Sequence, residues 1–139
     1  MATTQHTSVL VDTCVWIALE KAELPKQAFI NAAGSANVVT SPVVWAEMKL
    51  GVEMAPDAIT RQARQAALER VLRYPLLELN RQVALDMGVL SAYLLGLGKK
   101  RQRTQDLWLA ASARTHGAAL LTLNHKDFAD IPQLTLLRP

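Results

Sequence analysis

The apolar residues of this 139-residue chain fall into short continuous runs separated by longer stretches with helical spacing. Val9, Leu10 and Val11 form the first run, ended by Asp12, and Thr13 to Lys21 then carries Val15, Trp16 and Leu19 at the spacing of one helical face. This predicts strand, turn, helix. Leu24 to Ala33 predicts a second helix, with Pro25 in its first turn and Gly34 just past its end. Asn37 to Thr40 reads as a second strand, after which Ser41 caps a helix that opens on Pro42 and runs to about Met54. Asp57 caps the next helix, which reaches Arg73 before Pro75 stops it; its arginines, Arg61, Arg64, Arg70 and Arg73, read as a solvated face. Leu76 to Leu79 is a third strand candidate. Asn80 caps a helix to about Leu95, Thr104 caps another to His116, and Gly117 closes it. Ala118 to Leu121 and Leu134 to Leu137 supply the last strands, separated by a polar stretch from Asn124 to Asp130.

Strands alternating with helices imply an α/β fold with a central, mostly parallel sheet flanked by helices on both faces. Ligands of such sheets bind beyond the carboxyl ends of the strands, and Asp12 and Thr122 to Asp127 follow strands on that edge. The length suits one domain, residues 1–139. Half the residues are hydrophobic and 19% charged, as expected of a well-packed core. No apolar stretch approaches the roughly 20 residues of a membrane span, and Met1 to Ser8 is polar, so the expectation is a cytoplasmic protein with no membrane partner. Cys14 stands alone and reads as a small buried hydrophobe; His6, His116 and His125 make no metal cluster. A net charge of +3 is compatible with a polyanionic partner but common in proteins without one.

Three acids stand where their burial is unexpected. Asp12 lies between an apolar strand and a helix, where it can simply act as an N-cap. Glu47 sits four residues after Val43, three after Val44 and three before Leu50, on or beside the face that must be buried, unless its side chain merely reaches solvent from the stripe's edge. Asp106 is in the first turn of its helix, favourable against the helix dipole, yet shares a face with Leu109, Ala110 and Ala113. If the three converged, each charged pair at ~5 Å and an effective dielectric of ~20 would cost about 3 kcal/mol. A hard divalent cation, Mg²⁺ or Mn²⁺, removes that conflict. The basic run Lys99, Lys100, Arg101 and Arg103 precedes Asp106 and either lines the path of a phosphate backbone or is an ordinary solvated loop.

Four segments carry a family resemblance: residues 9–13 (VLVDT), 44–51 (VWAEMKLG), 106–111 (DLWLAA) and 121–128 (LTLNHKDF). Their order and content resemble the signature segments of PIN-domain proteins, with a three-layer fold, and most nearly the VapC and FitB-like toxins of bacterial toxin–antitoxin pairs. The resemblance implies an Mg²⁺-dependent endoribonuclease acting on RNA, inhibited by a small antitoxin and present as a homodimer. It implies Asp12, Glu47 and Asp106 as the metal-site acids, with Thr13 and Thr122 as hydroxyls that orient carboxylates or water. Asn124 stands where many relatives have aspartate, and Asp127 is the acid nearby; either fills the fourth position. The alternative is a PIN domain of weak activity that acts mainly as a binding module with a DNA-binding antitoxin. Trp16, Leu19 and Trp45 either pack the core or line an antitoxin groove.

Overall fold

The computed structural model describes residues 6–99 and 104–139. Lys100, Arg101 and Arg103 lie outside the described residues. Four strands, β1 (Ser8–Val11), β2 (Asn37–Val39), β3 (Ala119–Leu121) and β4 (Leu136–Leu137), form one sheet in the order β2-β1-β3-β4. Every pairing is parallel, with Leu10 opposite both Val39 and Leu120, and Leu121 opposite Leu137. Val9, Leu10 and Val11 of β1 and all three residues of β3 are buried, so the central strands are covered on both faces. That is why their sequences are continuously apolar rather than alternating.

The helices among the described residues are α1 (Thr13–Glu20), α2 (Lys26–Ala33), α3 (Pro42–Glu53), α4 (Ala58–Val71), α5 (Arg81–Gly96), α6 (Thr104–His116) and α7 (His125–Phe128). Helices α1, α3 and α4 pack together, and α5 packs along α6. The capping expectations match the local geometry. Ser41 Oγ accepts from Val43 N at 3.1 Å, Asp57 Oδ1 from Thr60 N at 2.7 Å and Asn80 Oδ1 from Val83 N at 3.0 Å. Each satisfies one donor that the first helical turn leaves open. Gly34 and Gly117 end α2 and α6 with φ of 59° and 69°, a backbone region that side-chain-bearing residues avoid.

Four expectations need correction. Leu76 to Leu79 is not a strand: only Leu76 bridges Thr40, with Leu77 N donating to Thr40 O at 2.8 Å. Pro75 has no N–H to give, and Asn80 already caps α5, which leaves room for a single bridge. Thr104 is the first residue of α6, not the residue before it. The polar stretch after β3 contains the single-turn helix α7, too short and polar for periodicity to reveal. The solvated-face reading fails for the half-buried Arg64 and is incomplete for the exposed Arg61. Arg64 Nη1 donates to Gly51 O at 2.7 Å, and Arg61 donates to Val52 O and Glu53, so both fasten α4 onto the carbonyl end of α3.

Candidate metal centre

The end of β1 delivers Asp12 to the carboxyl edge of the sheet, where its N–H donates to Leu121 O of β3 at 2.9 Å. Asp12 is buried, and its carboxylate is held from three sides. Oδ1 accepts from Thr13 N at 2.8 Å, which makes Asp12 the N-cap of α1 as well. Oδ2 accepts from the Thr122 hydroxyl at 2.8 Å and from the Cys14 thiol at 3.4 Å. The Thr122 hydroxyl in turn accepts from Asn124 N at 3.0 Å, so one side chain ties the β3 end to the β1 end.

Glu47 comes from the middle of α3. The buried face of that helix is Val43, Val44, Met48 and Val52; Leu50, counted on this face from the sequence, is instead 62% exposed. Glu47 is partly buried at the edge of the stripe, and its carboxyl is pushed up to about 7. Burial is the main cause; the charges of Asp12 and then Asp106 add to it, and the nearby Thr13 hydroxyl offsets a part. Asp12 and Asp106, 94 positions apart in the chain, therefore both lie near enough to Glu47 for their charges to act on it. Among the described residues, Glu47 Oε1 and Thr13 Oγ1 are shut off from solvent without a hydrogen bond of normal geometry. Asp106, in the first turn of α6, is partly buried and held by a partner of its own.

The fourth position lies farther out. Asn124 and Asp127 are both exposed on the wall of a cleft that begins at Thr122. Asn124 reaches the cluster through its backbone N–H, and Asp127, like Asp106, is engaged by a partner. Lys99 pairs with Asp130. The sequence reading missed Cys14. It is partly buried, and its sulfur accepts from Leu123 N at 3.5 Å while donating to Asp12; burial, then the Asp12 charge, pushes the thiol up to about 11. Its position two residues after Asp12, on the first turn of a helix that Asp12 caps, was the available signal.

The carboxylates and hydroxyls gathered here are oxygen donors of the kind a hard divalent cation takes, and the Cys14 thiol beside them is occupied with Asp12. Among the described residues no three His, Cys, Asp or Glu form a ready-made ligand cage. A cation that retains several waters needs only one or two carboxylates, and the buried, unpartnered Glu47 oxygen fits such a role.

The family model of the PIN domain matches residues 9–134. The chain belongs to the PIN-domain family. Among relatives of this PIN domain, Ribonuclease VapC of Rickettsia bellii (strain RML369-C) is 31% identical over 136 residues, covering 93% of this chain and 94% of the relative. Ribonuclease VapC5 of Mycobacterium tuberculosis (strain ATCC 25618 / H37Rv) is 34% identical over 129 residues, covering 93% and 90%. The crystal structure of VapBC-5 from Mycobacterium tuberculosis, a member of the VapBC family of toxin–antitoxin systems, superposes with a TM-score of 0.76 at 26% identity. It covers 96% of this chain and 99% of that one. The three-layer α/β fold expected from the segments is thus the fold of the PIN domain.

The raised Glu47 carboxyl predicts a pH dependence of the metal-free protein. Because folding raises this group above its ordinary 4.5, the folded state binds the proton more tightly than the unfolded chain. Its contribution is fully present below about pH 4.5 and is lost as pH rises through about 7. Glu47→Gln removes that loss. In urea titrations without metal, the variant is expected to gain about 1–2 kcal/mol over the parent at pH 8, after allowing for screening by nearby solvent, and nothing at pH 4. Parallel stability curves for the two proteins across that range would exclude the coupling.

Proposed function

We propose that this PIN domain, a single domain over residues 1–139, is an Mg²⁺- or Mn²⁺-dependent endoribonuclease and the toxin half of a toxin–antitoxin pair. The observation that carries the reading is that the Asp12 and Asp106 charges both act on Glu47, one of whose carboxylate oxygens is buried without a hydrogen-bond partner. Those three acids would hold the cation, with Thr13 beside Glu47 and Thr122 fixing the Asp12 carboxylate. A cation bound there lowers the pKa of a water and stabilises charge on a phosphodiester oxygen. The chain's own part is positioning. Thr122 and Thr13 N hold both Asp12 oxygens in place, which spares the cost of ordering a free carboxylate. Asn124 or Asp127 would complete the outer edge towards solvent.

The names of the relatives support a ribonuclease, and the VapBC-5 structure supports an antitoxin partner. The antitoxin is proposed to seat in the cleft between α1, α2 and α4, where Trp16 lies 5.5 Å from Phe29 and 5.2 Å from Tyr74 between ring centroids and Leu19 and Ile30 add apolar surface. All three residues considered for a groove belong to or pack against the core; Trp16 and Leu19 also line this cleft, and Trp45 does not. A homodimer is supported by the exposed stripe Leu85, Val89 and Tyr93, four residues apart along α5. Among the described residues no helix is long and apolar enough to cross a membrane, and the reading carries a cytoplasmic location with the RNA.

Two measurements on one sample test the proposal. Total bacterial RNA should be fragmented with Mn²⁺ and left intact with EDTA, and Mn²⁺ at a hundredfold excess over its Kd should stabilise the protein by about 2.7 kcal/mol. Glu47→Gln should lose most of that stabilisation. A protein that acts only as a binding module would show neither RNA turnover nor a metal-dependent thermal shift.

A further inference from the structure

Of the basic run before α6, Lys99 is committed to Asp130. Two other cations converge on a different wall of the site. A cleft of about 480 Å³, joined to Asp12 through Thr122, is lined by Thr122, Asn124, His125, Lys126, Asp127 and Arg138 among others. The sheet explains how it is built. Leu121 pairs with Leu137, Thr122 N donates to Leu137 O at 3.2 Å, and His125 Nε2 lies 3.1 Å from the same carbonyl. Arg138 is therefore one residue past β4 at the edge where Thr122 is one residue past β3. Lys126 enters from the second position of α7. Both cations are exposed, and among the described residues neither joins an ion pair.

Thr122 belongs to both places: its hydroxyl donates to Asp12 while the residue lines the cleft. Any phosphodiester brought to Asp12 must approach three like-charged carboxylates. Cations on the adjoining wall offset that repulsion, and Arg and Lys holding successive phosphates release the counterions that drive strand binding. An acidic segment of a protein partner has no comparable reason to lie against Asp12. Resting on the ribonuclease reading, we propose that Lys126 and Arg138 form a phosphate-binding track that seats the RNA strand beside the Asp12 carboxylate.

The test is fluorescence anisotropy with fluorescein-labelled oligouridine, the full chain and Ca²⁺, comparing the parent with Lys126→Gln/Arg138→Gln over a series of salt concentrations. Two lost phosphate contacts should weaken binding roughly tenfold and reduce the log–log salt slope by about 1.4. Lys126→Arg/Arg138→Lys should restore most of both. Arg81→Gln is the matched control. It starts α5 beside the far end of α6, where Asp86 meets Arg114, and should leave affinity and slope within about twofold of the parent. Equal affinity and slope for the parent and the Gln pair would overturn the proposal, as would failure of the parent to bind. A Gln pair that instead lost affinity for a protein partner while binding RNA normally would reassign the cleft and overturn it too. Mn²⁺-dependent fragmentation of total RNA by the parent, read separately, decides the ribonuclease reading, so the two fail independently.

Discussion

Asp12→Asn is expected to cut RNA hydrolysis by on the order of a thousandfold, about 4 kcal/mol of barrier, while leaving the fold intact. The reason lies in what the amide keeps and what it loses. Asn is as good an N-cap as Asp, so Oδ1 still accepts from Thr13 N and α1 keeps its start. On the other side the amide nitrogen faces Thr122 Oγ1, and the hydroxyl has only to rotate from donating to accepting for the 2.8 Å contact to survive. What disappears is the negative charge, and with it the weak S–H donation from Cys14 to Oδ2. In the metal-free protein that loss also relieves Glu47, which feels Asp12 more strongly than Asp106. The variant should therefore be at least as stable as the parent above pH 7 without metal, yet gain little from Mn²⁺. Circular dichroism and thermal melts establish the fold; cleavage of total RNA gives the activity. A well-folded Asp12→Asn protein that cleaves at the parental rate would sink the carboxylate reading, and Asp106→Asn supplies an independent check from α6.

The features legible in the sequence are those written in local chemistry. The β1 run ends abruptly at Asp12 because the chain must leave a sheet covered on both faces and begin a helix, and a capping acid does both. Ser41, Asp57 and Asn80 announce their helices by the same logic. Glu47 stood out because a carboxylate on the edge of an apolar stripe is costly, and that cost reappears in the structure as its raised pKa. Features that depend on distant partners were not legible. Cys14 looks like a filler residue until β3 brings Thr122 and Leu123 against it across more than 100 positions. Arg64 looks solvated until α4 folds back on the α3 carbonyl end, and the exposed Arg61 gains partners there that the sequence does not show. Leu76 to Leu79 has strand-like composition, but an edge beside the three-residue β2 offers little to pair with.

Arg114 shows the same gap between local pattern and tertiary role, and it carries the largest expected loss of stability. Near the end of α6 its guanidinium donates to Asp86 Oδ1 of α5 at 3.1 Å and to Pro132 O at 2.7 Å, so one side chain fastens two helices and the segment leading into β4. The pair is well covered, with side-chain exposures of 14% for Arg114 and 19% for Asp86, and among the described residues Asp86 Oδ2 has no hydrogen-bond partner. Removing the arginine leaves that carboxylate enclosed and uncompensated, a situation that costs more than the pair itself contributes. Arg114→Ala should therefore lower unfolding free energy by about 3 kcal/mol and Tm by roughly 10 °C. Asp86→Ala should cost less, because the long guanidinium stem can turn towards water and still reach Pro132 O. The double variant should lie near Asp86→Ala and above Arg114→Ala, since no charge is then stranded. Arg114 lies two helical turns from Asp106, so Mn²⁺ affinity at a temperature where all variants are folded should stay within about threefold of the parent. Urea titrations of the four proteins complete the cycle. Strictly additive losses for Arg114→Ala and Asp86→Ala would mean that the contact between α5 and α6 is made by Val83, Met87 and Leu90 alone, with the ion pair contributing nothing.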